Sequence, residues 1–498
     1  MHKMCEMQKQ MADVLNLRRT NSRISITSFA ASINTKKTYK EFCKNLHQFG
    51  VTAEMLSQKK REIFNIFKIQ NGAASCEIDD GTIEDQGGLP VEDDSGETDP
   101  HMAAYGGYSA VRLVTRLLGA KDKDIEIPLH FAVRTSHTDM VEQLLLDGAS
   151  IEATNEDDNT PLHLAARNGF TDMVKLLLKK GASVHARTIR NNSPLHLAAM
   201  NGHVGAAVVL LGEDASIEAM NIDGYTPLHW ASSEGHAGLV ELLLGRGALI
   251  EAKNEKNNTP LHFAASSGHV SVVELLLEKD APIERGEYNR TPLHFAAFEG
   301  HASVVELLSA RGALIGAIDE ENNNPLHLAV FNGHASVVEL LLDKNASIEA
   351  QGNYNRTPLH FAAFHGHTGL VELLLGRGAL IEAMDEENYT PLHFAAYFGH
   401  SSVVDLLLGE GALPHAVAKD GSTSLHLAAW KGHIGVVELL LQKGACVEAR
   451  DIYDTTPLGL AEQEGHTAIA KLLKNKPTKQ QLAASYLDRR GSHGYIQS

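Results

Sequence analysis

The sequence predicts an all-α solenoid of stacked helix-turn-helix units with hairpin-like loops, preceded by a small helical N-terminal region. Three observations predict it. A Thr-Pro-Leu-His phrase or a close variant recurs with its histidine at 130, 163, 196, 229, 262, 294, 327, 360, 393 and 426, each step being 33 residues except one of 32. The eleven letters YNRTPLHFAAF stand at 288–298 and again at 354–364. Helix starts and helix stops alternate at fixed places within every period. A constant period of this size marks an array whose units bury their apolar faces only against one another.

The unit around Thr390 shows the logic. Thr390 can cap a helix through its side-chain oxygen, and Pro391 falls at the first helical position, where its missing N–H costs nothing. Leu392, Ala395 and Ala396 form a narrow apolar face that lets neighbouring helices approach closely. Gly399 ends this helix in the left-handed conformation. His400 follows, and Val403, Val404, Leu406, Leu407 and Leu408 make a second helix that Gly411 ends. A polar turn leads to the next Thr-Pro.

These letters, TPLHFAA followed by GH, VV, LLL and GA, resemble the ankyrin repeat over residues 126–476. The resemblance implies L-shaped units stacked into a curved solenoid, with first helices and loops on the concave side. It also implies that the Thr-Pro-Leu-His histidines hydrogen-bond between loops and helix starts.

Some units depart from the pattern. Asp214, Asp280 and Asn345 replace the glycine that ends the second helix, so those ends are expected to be slightly strained. Ser424 replaces the proline and Pro414 enters the turn before it, which points to a looser junction between units nine and ten. The 32-residue step makes the loop at 285–290 one residue short. Glu152, Glu218, Glu251, Glu284, Glu349, Glu382 and Glu448 fill a turn column where the family usually has Asn. The eleventh unit has Gly459 in the histidine's place and turns polar (Gln463, Glu464, Lys471, Lys474, Lys476), as a solvent-facing cap should.

Outside the array the chain changes character. Residues 1–70 carry thirteen Lys and Arg against five Asp and Glu, a net of +8 in a chain of net charge −18. Tyr39, Phe42, Leu46 and Phe49 form an amphipathic stripe that Gly50 stops. Thr52 can cap a second short helix through Met55, Ile63, Ile66 and Phe67. Residues 71–100 read as an acidic disordered linker, since 77–99 hold ten Asp and Glu and no Lys or Arg. Residues 101–125 look like a degenerate capping repeat, 126–476 are the regular array, and 477–498 are a flexible tail.

Composition excludes several function classes. An acidic array is a poor partner for phosphate backbones, so no nucleic acid is expected on it. No apolar run is long enough to span a bilayer, so no membrane is expected. Cys5, Cys43, Cys76 and Cys446 are scattered without a framework, which favours an intracellular setting, the cytoplasm ahead of the nucleus. Of twenty-seven histidines, ten belong to Thr-Pro-Leu-His and ten more (137, 203, 236, 269, 301, 334, 367, 400, 433, 466) follow the first helix. The repeat therefore explains them better than a metal does. No nucleophile, metalloprotease or phosphate-loop motif occurs. No catalytic residue, cofactor or metal ligand is expected.

One column stands out. After the Ala-Ala of the first helix the early units hold Arg134, Arg167, Met200, Ser233 and Ser266, whereas units six to ten hold Phe298, Phe331, Phe364, Tyr397 and Trp430. His365, Phe398 and Lys431 lie beside this line. Two readings stay open: an exposed aromatic strip for a partner, or rings that hold adjacent units together. With Glu299 and the Glu column nearby, a partner would be apolar at its centre and basic at its rim. The expected function is a non-enzymatic protein-interaction scaffold. The alternative is an adaptor whose N-terminal helices dock an effector while the repeats select its target. Oligomeric state is not readable from the sequence.

Overall fold

A computed structural model describes residues 126–475. The chain divides into two compact units, Met1–Pro128 and Leu129–Ser498, and the array occupies the second. The expectations for residues 1–125 and for the tail from 476 lie outside the described residues.

The described residues are helix and loop, with no strand among them: twenty-two α-helices run from Glu126–Arg134 to Thr467–Lys474, two to a unit, as the sequence implies. First helices pack on first helices of adjacent units, and second helices on second. The small residues of the first helix make this possible; Ala296, Ala297, Ala362, Ala395 and Ala396 are wholly buried. Val403, Val404 and Leu407 of the second helix are likewise inaccessible. The apolar core is therefore a continuous seam fed by every unit.

The Thr-Pro-Leu-His histidine holds each helix start and ties it to the next unit. In the unit of Thr357, the Thr357 N–H donates to His360 Nδ1 (3.1 Å), and the Thr357 hydroxyl lies 2.9 Å from the same nitrogen. Across the unit boundary, His360 Nε2 donates to the Tyr389 carbonyl (3.0 Å). Nδ1 faces an N–H and Nε2 faces a carbonyl, so the ring must be neutral with its proton on Nε2. It acts as the reaching-back partner of a capping box, where Glu is usual. The same arrangement recurs at His163, His196, His229, His262, His294, His327 and His426, while His393 keeps the cap bond and turns its Nε2 to the Ala416 carbonyl. Gly459 has no following loop among the described residues to bond, and its helix keeps only the Thr456 cap (3.2 Å).

Three sequence expectations meet their detail here. Asp214, Asp280 and Asn345 do adopt the left-handed conformation, at φ 59°, 60° and 64°, whereas Gly247, Gly378 and Gly411 in the same column sit at 91°, 90° and 98°. The side chain pulls the backbone to the narrow region an L-residue tolerates. The junction at Ser424 is closed by backbone and side-chain bonds, although the Ser424 hydroxyl itself is buried without a hydrogen-bond partner. Ser424 is buried, and the preceding loop is tied back by His393 Nε2 to Ala416 O (3.1 Å), Lys419 N to Glu387 O (2.9 Å) and Tyr389 OH to Asp420 (2.8 Å).

The short step is also relocated. The loop at 286–290 is complete, with Gly286 N–H to Arg290 O at 2.7 Å matching Gly352 N–H to Arg356 O at 2.8 Å. The missing residue comes from the turn before it. Ala350 N–H closes such a turn on Ser347 O (3.2 Å), and no equivalent bond forms between 281 and 285. Gly286 and Gly352 are needed because a Cβ there would strike the side chains of Asn258 and Asn323, which accept the N–H groups of Glu287 (2.9 Å) and Asn353 (3.2 Å).

Candidate functional site: the aromatic face of the first helices

The column residues stand near the ends of consecutive first helices: Pro292–Glu299, Pro325–Asn332, Pro358–His365, Pro391–Phe398 and Ser424–Lys431. The structure brings all eight singled-out residues into one chain of contacts. Phe298 stacks with Phe331 at 6.4 Å between ring centres, and Phe331 meets His365 edge-on at 4.4 Å. His365 leads to Phe364 (4.8 Å), Phe364 to Phe398 (4.2 Å) and Phe398 to Tyr397 (4.8 Å). Tyr397 meets Trp430 at 5.6 Å, and the Lys431 ammonium lies 3.9 Å from the Trp430 ring centre and 4.7 Å from that of Tyr397. The residues named as neighbours of the line are in fact its links: His365 joins Phe331 to Phe364, and Phe398 joins Phe364 to Tyr397.

The strip is less open than the sequence implies. Tyr397 is 1% and Phe364 7% exposed, while Phe298, Phe331, His365, Phe398, Trp430 and Lys431 are half-buried. Each ring covers part of the next, and a packed aromatic pair contributes about 0.5–1.5 kcal/mol beyond the area it buries. Inter-unit packing is therefore one role of these rings, and the face left to solvent is the half-buried set. His365 Nε2 is buried without a hydrogen-bond partner. Burial, then the neighbouring His367 and His400, depress its pKa to about 4.

The second histidine of each unit completes this face. Its Nε2 donates to the carbonyl of the column residue one unit back: His334 to Phe298 (3.0 Å), His367 to Phe331 (3.2 Å), His400 to Phe364 (2.9 Å), His433 to Tyr397 (3.0 Å) and His466 to Trp430 (3.1 Å). These carbonyls end a helix and need a donor. The ring lies so close over the helix-ending glycine that a Cβ on Gly366 would sit 2.6 Å from His400 Nδ1. Glycine and histidine are one device shared between units.

The Glu column is only partly free for a partner. One carboxylate oxygen accepts a backbone N–H of the next unit: Glu152 from Ser183 (2.6 Å), and Glu218, Glu349 and Glu382 from Leu249, Leu380 and Leu413 (2.8 Å each). Sequence reasoning passed over Arg290 and Arg356, although both close the repeated Tyr-Asn-Arg phrase. Arg290 Nε reaches Asp319 (3.0 Å) and Arg356 Nε reaches Asp385 (3.3 Å), each pairing with a nearly inaccessible carboxylate on the next loop. Among the described residues no group of His, Cys, Asp or Glu is placed to hold a metal ion, and no helix is long and apolar enough to cross a membrane.

The family model described as Ankyrin repeats (3 copies) matches residues 100–188, 185–254, 246–319, 314–385 and 392–484, and that described as Ankyrin repeats (many copies) matches 365–408. Among solved structures, the human ASB11 ankyrin repeat domain is similar at 28% identity, with a TM-score of 0.42, over 44% of this chain and 98% of that one. No curated protein matches the chain. With paired helices throughout the described residues, histidines bridging unit to unit, and family matches over most of its length, the chain belongs to the ankyrin repeat family.

Proposed function

We propose that this protein is a non-enzymatic scaffold that binds a protein partner on the first-helix face of units six to ten. Ankyrin repeats are generally protein–protein interaction modules, on a fold that is typically non-enzymatic. The observation that carries the reading is the unbroken run of ring contacts from Phe298 to Trp430, with half-buried members at Phe298, Phe331, Phe398 and Trp430. Half-exposed aromatics on a rigid support lose little conformational freedom on binding and serve as anchors. The partner is apolar at its centre and basic at its rim, to suit the acidic loops around Glu320 and Glu321. The test uses the full chain as bait beside a Phe331→Ser/Phe398→Ser variant that far-UV circular dichroism shows to be folded at the assay temperature. Partners retained by the first and lost by the second support the reading, and a set of partners indifferent to the substitutions rules it out.

The adaptor reading rests on the opposite charge of residues 1–70, net +8, against a remainder that is strongly acidic. In it, removing residues 1–70 loses one partner and the aromatic substitutions lose another.

A further inference from the structure

Among the described residues three cations lie over pairs of aromatic rings, and two of them are locked in place. Arg290 is 5.7 Å from the Tyr288 ring centre and 5.9 Å from that of Phe298, with its Nε on Asp319. Arg356 is 4.9 Å from Tyr354 and 4.8 Å from Phe394, with its Nε on Asp385. Each guanidinium thus has ring faces and a buried carboxylate, and both clamp one loop to the next. Lys431 differs. Its ammonium has the Trp430 and Tyr397 rings at 3.9 and 4.7 Å, and no carboxylate among the described residues pairs with it.

Ring faces attract a cation through the aromatic quadrupole. The Trp430 and Tyr397 rings are 5.6 Å apart and inclined at 57°, an open angle that an –NH₃⁺ group fills. The lysine stem is flexible and its ammonium strongly hydrated. With no anion to pin it and part of its surface in water, Lys431 leaves the rings at the cost of the cation–π contacts alone.

We propose that Tyr397 and Trp430 form an ammonium-binding site, occupied in the free protein by the chain's own Lys431, which takes a lysine side chain of the partner when Lys431 swings out. This rests on the docking face proposed above and names what its last ring pair selects. The exchange is one primary ammonium for another, so the site itself is nearly neutral to a lysine. A partner that presents a carboxylate there meets the π-faces with the wrong sign. The chain's net charge of −18 brings basic segments to this surface by long-range attraction.

The test needs no partner. The chain has two tryptophans, Trp230 and Trp430, so a Trp230→Phe background leaves Trp430 as the sole indole. The full chain in that background, with and without Lys431→Ala, is titrated with n-butylammonium chloride against sodium chloride at matched ionic strength, reading Trp430 emission. Far-UV circular dichroism checks folding, and Lys431→Gln serves as a second opening variant. The expected result is a saturable emission change with butylammonium alone, at a half-saturation about tenfold lower once Lys431 is removed, in line with loss of one competing cation–π contact. Adding Tyr397→Leu to the Lys431→Ala chain abolishes it. If both opening variants respond to butylammonium as they do to sodium, the site does not exist. Loss of partner binding by Phe331→Ser/Phe398→Ser is a separate readout, so either reading can fail alone.

Discussion

Acidification from pH 7 to pH 5 should destabilise this array, although it is an acidic protein. Eight Thr-Pro-Leu-His rings (His163, His196, His229, His262, His294, His327, His360 and His393) are held by burial well below the ordinary value of 6.5, at about 4 and for His360 about 3. The cause is geometric as well as dielectric, since a proton on Nδ1 would confront the cap N–H. A depressed folded value means that the unfolded chain takes up the proton first. The stability these rings supply is complete above 6.5 and is lost as pH falls toward 4. With 6.5 unfolded and about 4 folded, one ring forfeits about 2 kcal/mol at pH 5. Several rings titrating within one cooperative segment multiply this. The net charge of −18 argues the other way, because protonation relieves self-repulsion. The two effects therefore differ in sign. The assay is the urea midpoint by ellipticity at 222 nm at pH 7, 6 and 5 and constant ionic strength. The local effect predicts a midpoint that falls at each step, with a shallower slope when His196→Gln removes one titrating ring. A midpoint that is flat or rises toward pH 5 would refute the reasoning.

Two further outcomes follow from the packing. Gly366→Ala, at φ 73° beneath the His400 ring, should cost more than Gly378→Ala, at φ 90° with open space around it. The second pays only the left-handed penalty of about 1–2 kcal/mol, and urea unfolding of the two variants compares them. Arg356→Met should cost about 3–5 kcal/mol by leaving the Asp385 carboxylate buried and unpaired. Adding Asp385→Asn should recover most of that loss, because the amide oxygen still accepts the N–H groups of Glu387 and Tyr389 (2.9 Å each).

The fold was legible because each unit states its own boundaries. Thr390-Pro391 and Gly399 fall where the helix Pro391–Phe398 starts and stops. The aromatic column was legible as a line, since the period alone puts Phe298 to Trp430 at equivalent places. Its exposure was not, because that depends on how Phe394 and Phe398 fill the space beside Phe364 (5.9 and 4.2 Å), and such distances come only with the stacked backbone. The Glu column misled for a related reason. Glu382 looks like a solvated charge, and only the approach of the Leu413 N–H at 2.8 Å shows it acting as a bridge. The strain at Asp280 was readable from one letter, whereas the absorption of the short step before Gly286 required the backbone bonds of the loop.

The two histidine columns give the array a direction in time as well as in space. His360 donates to a carbonyl 29 residues further along, and the carbonyl that ends its helix, that of Phe364, waits for His400, 36 residues on. From the second unit on, each unit is thus finished by its successor; within the second unit itself Phe170 stands in the histidine's place. On the ribosome, a unit that has just emerged has an unclosed helix end and a buried-type imidazole still in water, where it is free to protonate. It closes only after the next unit has been made. Synthesis from the N-terminus therefore leaves one incomplete unit at the growing edge, whatever the length already folded, until the polar eleventh unit emerges and His466 closes the last aromatic helix on Trp430.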